Sequence, residues 1–142
     1  MAVASDQHVI VEYHGVVVCD TRRSVRVCET SHPPAYYLPF DEWLPGSLEP
    51  APGSSFCEFK GVARYLSVVT PQGRAESAAW TYPTPAPGFE SIADHIAVYP
   101  AAMSRITVNG EQVIAQEGGF YGGWITSRVV GPFKGAPGTR GW

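Results

Sequence analysis

The chain has 142 residues, the length of one domain, and its 44% hydrophobic residues suit a globule with a core of its own. A net charge of -3 and a pI of about 5.7 give a surface that repels phosphate backbones, which argues against nucleic acid as a partner. No apolar run is long enough to span a membrane, the first residues lack the basic start and apolar core of a secretory signal, and Cys19, Cys28 and Cys57 are odd in number with no C-x-x-C pair, so free thiols in a reducing cytoplasm are expected.

Charged residues are only 16% of the chain, while 15 Gly and 13 Pro punctuate it too often for long helices. Val9 to Tyr13 and Val16 to Cys19 are β-rich runs split by His14-Gly15, and glycine's tolerance of positive φ predicts a hairpin there. Tyr36 to Leu38 is a short extended run. Trp43 falls in a turn from Asp41 to Leu44, ahead of a Pro/Gly/Ser-rich stretch from Pro45 to Ser55 that reads as a loop able to act as a flap. Val62 to Val69 predicts a strand, Pro71-Gln72-Gly73 a turn, and Glu76 to Tyr82 the returning strand. A single helix is predicted near Gly88, where Phe89, Ile92, Ala93 and Ile96 share a face at helical spacing; Ile96 to Tyr99 reads equally as a strand, and Pro100 closes it either way. Arg105 to Val108 and Gln112 to Ala115 flank Asn109-Gly110, the strongest short hairpin signal.

The stretch from Glu117 to Trp142 holds eight glycines together with Phe120, Tyr121, Trp124, Phe133 and Trp142. Disordered tails are poor in aromatic residues, and such rings are costly to leave in water, so an ordered arm packed on the body is expected, with a partly disordered tail as the alternative. Strands dominate throughout. The fold class read from the sequence is mainly β, one compact domain of antiparallel sheets with at most one or two short helices, made of a core over residues 1–116 and a Gly/aromatic-rich arm over residues 117–142.

The chemistry concentrates between Glu29 and Pro39 and between Phe56 and Gly61, where an acid, an imidazole, a thiol, a lysine and aromatic rings cluster around proline turns. Glu29 and Lys60 sit in apolar or turn-rich surroundings, and if both face one interior they must pair, because a lone buried charge is very costly. They read either as polar anchors for a ligand or as a salt bridge fixing two loops. Tyr36, Tyr37, Tyr65, Trp80 and Tyr82 are the aromatic set, each an apolar body with a polar handle suited to a small-molecule pocket, or simply core. Adjacent tyrosines in a strand point to opposite faces, so only one of Tyr36 and Tyr37 can line a given pocket, whereas Trp80 and Tyr82 share a face. Cys57 with His32 is a candidate nucleophile and base, with Glu29 placed to orient the ring; the simpler reading is a small buried hydrophobe. Cys19 and Cys28 are expected in the core. His8, His14 and His95 are scattered, no metal-ligand spacing occurs, and no Gly-rich run has a phosphate-binding form, so no metal and no cofactor are expected.

Several of these segments carry a resemblance: Val25 to Glu29 leading into Pro33 to Pro39, Cys57 to Tyr65, Ala79 to Pro85, and Ile92 to Tyr99. In their order and spacing, between Val9 and Val108, the chain resembles the domain of unknown function 427 family. The resemblance implies a compact fold similar to the β-tent group, which includes methionine sulfoxide reductase B domains and the thalidomide-binding domain of cereblon. It implies no assigned enzymatic activity. Some members are labelled nucleotidyltransferase-like, but this chain has no Gly-Ser followed by paired carboxylates. Many tent-fold relatives hold zinc with two C-x-x-C knuckles, which this chain lacks, so zinc is expected to be absent. It also departs from the family at Glu58, where proline is common after the cysteine, and His32 sits where the family varies.

The function expected from these residues is binding of a small organic ligand through Glu29, Tyr36, Tyr37, Lys60, Trp80 and Tyr82. The alternatives are an enzyme using Cys57 and His32, and a protein-interaction module using the aromatic arm. The sequence sets no oligomeric state.

Overall fold

The computed structural model describes residues 1–29, 32–115 and 122–127. Short extended runs, many of them β-branched, bounded by Gly, Asn and Pro turns become thirteen strands among the described residues, where the helical pieces are single 3-10 turns at Phe40–Glu42, Glu90–Ile92 and Pro100–Ala102. The protein is mainly β. Strands β1 (Ala2–Ser5), β4 (Ser24–Val27), β5 (Ala35–Pro39), β6 (Leu48–Cys57), β7 (Gly61–Thr70), β8 (Gly73–Thr81) and β9 (His95–Val98) form a seven-stranded sheet in the order β1-β4-β5-β9-β8-β7-β6. Every neighbouring pair in it is antiparallel. A second sheet has the order β11-β10-β2-β3, from β2 (Val9–Tyr13), β3 (Val16–Thr21), β10 (Arg105–Val108) and β11 (Glu111–Gln112). The short strands β12 (Ile114–Ala115) and β13 (Trp124–Ile125) pair with each other.

Both predicted hairpin turns form. His14 and Gly15 have φ of 48° and 80°, and Asn109 and Gly110 have φ of 51° and 84°. Two successive positive values match the right-handed twist of the flanking strands. The two hairpins then join through β10 and β2, with Val108 opposite Val9.

Four expectations are corrected. The stretch from Pro45 to Ser55 is not a flap: from Leu48 onward it is the edge strand β6, paired along β7 with an irregularity between Pro50 and Ser54. Pro50 and Pro52 lack a backbone donor, which an edge strand tolerates, and Gly53 at φ 94° takes up the bulge. The helix near Gly88 is only the turn Glu90–Ile92; Asp94 at φ 58° ends it and Ile96 enters β9. A single turn is too short to nucleate a helix, and the chain gains ladder bonds to β5 and β8 instead. The strand returning from Asn109-Gly110 pairs with β10 only through Gln112, after which Ile114–Ala115 pairs with β13. Finally, Cys28 lies just past β4 and is exposed, while Cys19 is buried as expected.

Each face of the seven-stranded sheet carries a buried cluster. On one side Tyr36, Leu38, Val68, Ile96 and Val98 pack against Val9, Val11, Val18, Ile106 and Val108 of the four-stranded sheet. On the other, Val25, Val27, Tyr37, Ala63, Trp80, Tyr82, Ile92 and Ala97 form a second cluster. Trp124 belongs to the first core and is 0% exposed. Its ring stacks on Tyr36 with centroids 4.7 Å apart, and its indole N–H donates to the Val98 carbonyl at 3.3 Å. Residues 122–127 are the described part of the segment expected as an arm; Phe120, Tyr121, Phe133 and Trp142 lie outside the described residues.

Removing the Trp124 ring leaves a void between the short β12–β13 ladder and the first core. Trp124→Ala is expected to cost about 3–5 kcal/mol of stability, read as a lower urea midpoint at an unchanged denaturant slope.

Candidate functional site

Alternation along three strands places the aromatic rings of the second cluster. In β5 the Tyr36 side chain faces the first core and Tyr37 the second. In β8 Trp80 stands opposite Tyr65 of β7 on one side and Ala97 of β9 on the other, with Tyr82 two residues further on. Tyr99, two residues beyond Ala97, follows β9 on the same side. The rings meet at angles that suit their quadrupoles: Tyr37 and Trp80 are edge-to-face at 6.2 Å, and Trp80 and Tyr99 lie tilted at 4.5 Å. The Trp80 indole N–H donates to the Tyr37 hydroxyl at 3.1 Å, which fixes the indole's direction.

These rings wall a hollow of about 220 Å³. Short side chains at Ala35 and Ala63 leave room in it, and Val27, His32, Pro33 and Ser55 complete its rim with the charged pair Glu29 and Lys60. Lys60 ends the turn between β6 and β7. Its carbonyl accepts from the Ala86 N–H at 2.9 Å, and a side chain on the next residue, Gly61 (φ 108°), would press to 3.2 Å from the Thr84 carbonyl. The lysine therefore hangs from a turn clasped by the segment after β8. Its ammonium makes an ion pair with the Glu29 carboxylate and lies 6.0 Å from the centre of the Tyr82 ring. The burial of the pair is lopsided: the lysine side chain is 11% exposed and the glutamate 46%.

Gly122 and Gly123 supply the remaining wall. A Cβ built on Gly122 would fall 2.3 Å from the tip of the Trp80 indole, so only a glycine lets this backbone lie against that ring.

Of the residues singled out in the sequence, Glu29, His32, Tyr37, Lys60, Tyr65, Trp80 and Tyr82 meet at the hollow. Tyr36 does not, because it stands on the opposite face of the sheet, hydroxyl donating to the Gln7 side chain at 3.0 Å. Cys57 ends β6, is half-buried, and packs against the aromatic cluster without lining the hollow. The His32 N–H donates to the Glu29 carbonyl at 3.2 Å. Tyr99 and Gly122 were not singled out. Tyr99 follows from the two-residue period once Ile96 is read as strand; for Gly122 the sequence carries no local signal. No group of three or more His, Cys, Asp or Glu side chains placed to hold a metal occurs among the described residues, and none of their helices is long and apolar enough to cross a membrane.

Burial, and then the neighbouring Tyr82 phenol, push the Tyr37 hydroxyl well above its ordinary pKa. Burial does the same for Tyr82, reinforced by Cys57 and Glu29, and raises Tyr99 as well. These phenols stay neutral at ordinary pH and offer the hollow both donors and acceptors.

The sequence profile of the family described as domain of unknown function DUF427 matches residues 1–109. The chain belongs to that family. The DUF427 match covers every wall of the hollow except Gly122 and Gly123, which come from beyond it. No curated protein matches the chain.

Two outcomes follow from this geometry. Because Tyr37 and Tyr82 titrate higher folded than unfolded, their stabilising contribution is complete below the ordinary tyrosine pKa of about 10 and is lost as pH rises above it. In an alkaline titration, part of the tyrosinate absorbance at 295 nm should appear only together with cooperative loss of the β-sheet circular dichroism signal. Gly122→Ala should lower stability by about 1–3 kcal/mol through overpacking against Trp80, with a changed near-UV tryptophan signal; an unaltered spectrum would show that the backbone does not rest on the indole.

Proposed function

We propose that this protein binds a small organic molecule in the hollow, with Tyr37, Trp80 and Tyr82 as its aromatic walls and Glu29 and Lys60 as its polar anchors. The observation that carries this reading is convergence: a carboxylate and an ammonium 31 residues apart form an ion pair at the rim of a concave aromatic surface. Ligand sites are concave, with a few polar groups placed to fix orientation; this hollow is concave and aromatic-walled, with a lining at least as polar as it is apolar. At about 220 Å³ it sits below the range of about 300–1,000 Å³ typical of drug-sized ligands, so the ligand is a fragment carrying one ring. Reaction through Cys57 has less support, since Cys57 is not among the residues lining the hollow. The setting proposed is the cytoplasm, in keeping with three unpaired cysteines, and the acidic balance of the chain disfavours nucleic acid as the partner.

A thermal-shift panel of single-ring fragments tests the reading. A fragment present at about 100 times its Kd stabilises by about 2.7 kcal/mol, a clear rise in Tm. Trp80→Phe, which keeps a ring but loses the indole donor to Tyr37, should weaken such a fragment by about tenfold, or about 1.4 kcal/mol. A panel without hits, or hits indifferent to Trp80, would sink the proposal.

A further inference from the structure

We infer that the ligand of this hollow is an anion, a small aromatic carboxylate, and that Glu29 is a built-in stand-in for its carboxyl group which the ligand displaces from Lys60. This rests on the reading above that the hollow binds a small molecule, adds the ligand's charge, and recasts the rim: Lys60 anchors the ligand, and Glu29 is the internal counter-ion that it replaces.

The inference comes from the asymmetry of the ion pair. Lys60 is held on a turn fixed through its own carbonyl and the close-packed Gly61, and its side chain is 11% exposed. The backbone that carries the lysine is therefore built into the fold, and burial of the side chain keeps its ammonium at the hollow. Glu29 is different. It lies past the end of β4 and keeps its side chain 46% exposed, so its carboxylate can leave for water at little desolvation cost. A buried ammonium cannot be left without a counter-ion, but nothing requires that ion to be Glu29.

The surroundings of the ammonium favour the same exchange. A lysine ammonium has more donors than one carboxylate oxygen uses, and among the described residues its ion-pair partner is Glu29. The aromatic walls of Trp80, Tyr82 and Tyr99 begin next to it, with Tyr82 6.0 Å away. A molecule with its ring among those side chains would carry its carboxylate to Lys60. Other charges fit less well. A cationic ligand would meet the fixed ammonium of Lys60, and a neutral one would leave the Glu29–Lys60 pair closed across the rim. An internal competitor lowers apparent affinity by the fraction of time it occupies the site, so removing it should strengthen binding of the anion more than that of a neutral ring.

The test uses the full chain and three ring probes of similar size and different charge: benzoate, benzamide and benzylamine. Binding is measured by calorimetry at fixed ionic strength to the parent chain, Glu29→Gln, Lys60→Met and Lys60→Arg. The parent should prefer benzoate. Glu29→Gln should bind benzoate about tenfold more tightly, as expected if the internal pair is closed roughly nine-tenths of the time, and should raise the preference for benzoate over benzamide. Lys60→Met should lose the preference for benzoate while still binding benzamide, which also shows that the hollow survives the substitution. Lys60→Arg should retain the preference in part and covers the case in which Lys60→Met fails to fold. If benzamide binds but charge makes no difference, or Glu29→Gln weakens benzoate, the inference is wrong and ligand binding in the hollow still stands. If none of the three rings binds to any variant, the ligand-binding reading falls and this inference with it.

Discussion

A β-strand sends neighbouring side chains to opposite sides of its sheet, and in this protein each side of the seven-stranded sheet carries its own buried cluster. Every residue of its central strands therefore has a fixed duty. Tyr36 serves the core shared with the four-stranded sheet, and Tyr37, one position later, serves the aromatic hollow. Leu38 and Ile96 face the first cluster; Ala97, between Ile96 and Val98, faces the second. A slip of one residue in β5, β8 or β9 would exchange the two sets and dismantle both clusters at once. The register of these strands, more than any one contact, positions Trp80, Tyr37 and Tyr99 for whatever the hollow accepts.

That constraint explains which parts of the structure were legible in the sequence. The hairpins at His14-Gly15 and Asn109-Gly110 were, because their turn residues carry the backbone conformation they need. So was the opposition of Tyr36 and Tyr37, which follows from the two-residue period alone. The helix near Gly88 misled because Phe89, Ile92 and Ile96 have helical spacing by coincidence: Ile92 belongs to one face of the sheet and Ile96 to the other. Strand β6 was hidden because glycine and proline, ordinarily marks of a loop, are tolerated on an edge where a missing donor costs nothing. The meeting of Glu29 with Lys60 could be posed from sequence only as a condition on burial, since pairing at that separation is a property of topology. Gly122 was invisible for a related reason. Its role depends on an indole 42 positions earlier in the chain, and no local pattern records that.

The hollow joins two kinds of constraint. Its aromatic walls are set by strands and are rigid to the extent that the sheet is. Its charged rim is set by turns and is unequal, with a lysine fixed and buried against a glutamate that is half in water. The neutral phenols add hydrogen-bonding capacity without adding charge, so the rim's electrostatics are carried by that pair together with the His32 imidazole that lines the same hollow. The part of the wall formed by Gly122 and Gly123 lies beyond the residues shared with the DUF427 family, so the shape of the hollow here depends on chain that the family profile does not include.

The outer strand β6 has one further consequence. A ten-residue edge would ordinarily be an invitation for another molecule's strand to add on and continue the ladder. Here two prolines and the kink at Gly53 interrupt its row of donors, and at the far side of the sheet β1 spans only four residues. Both margins of the sheet thus carry features that hinder a further strand from adding on, and they do so through backbone shape and strand length, with little call on the chain's sparse charge.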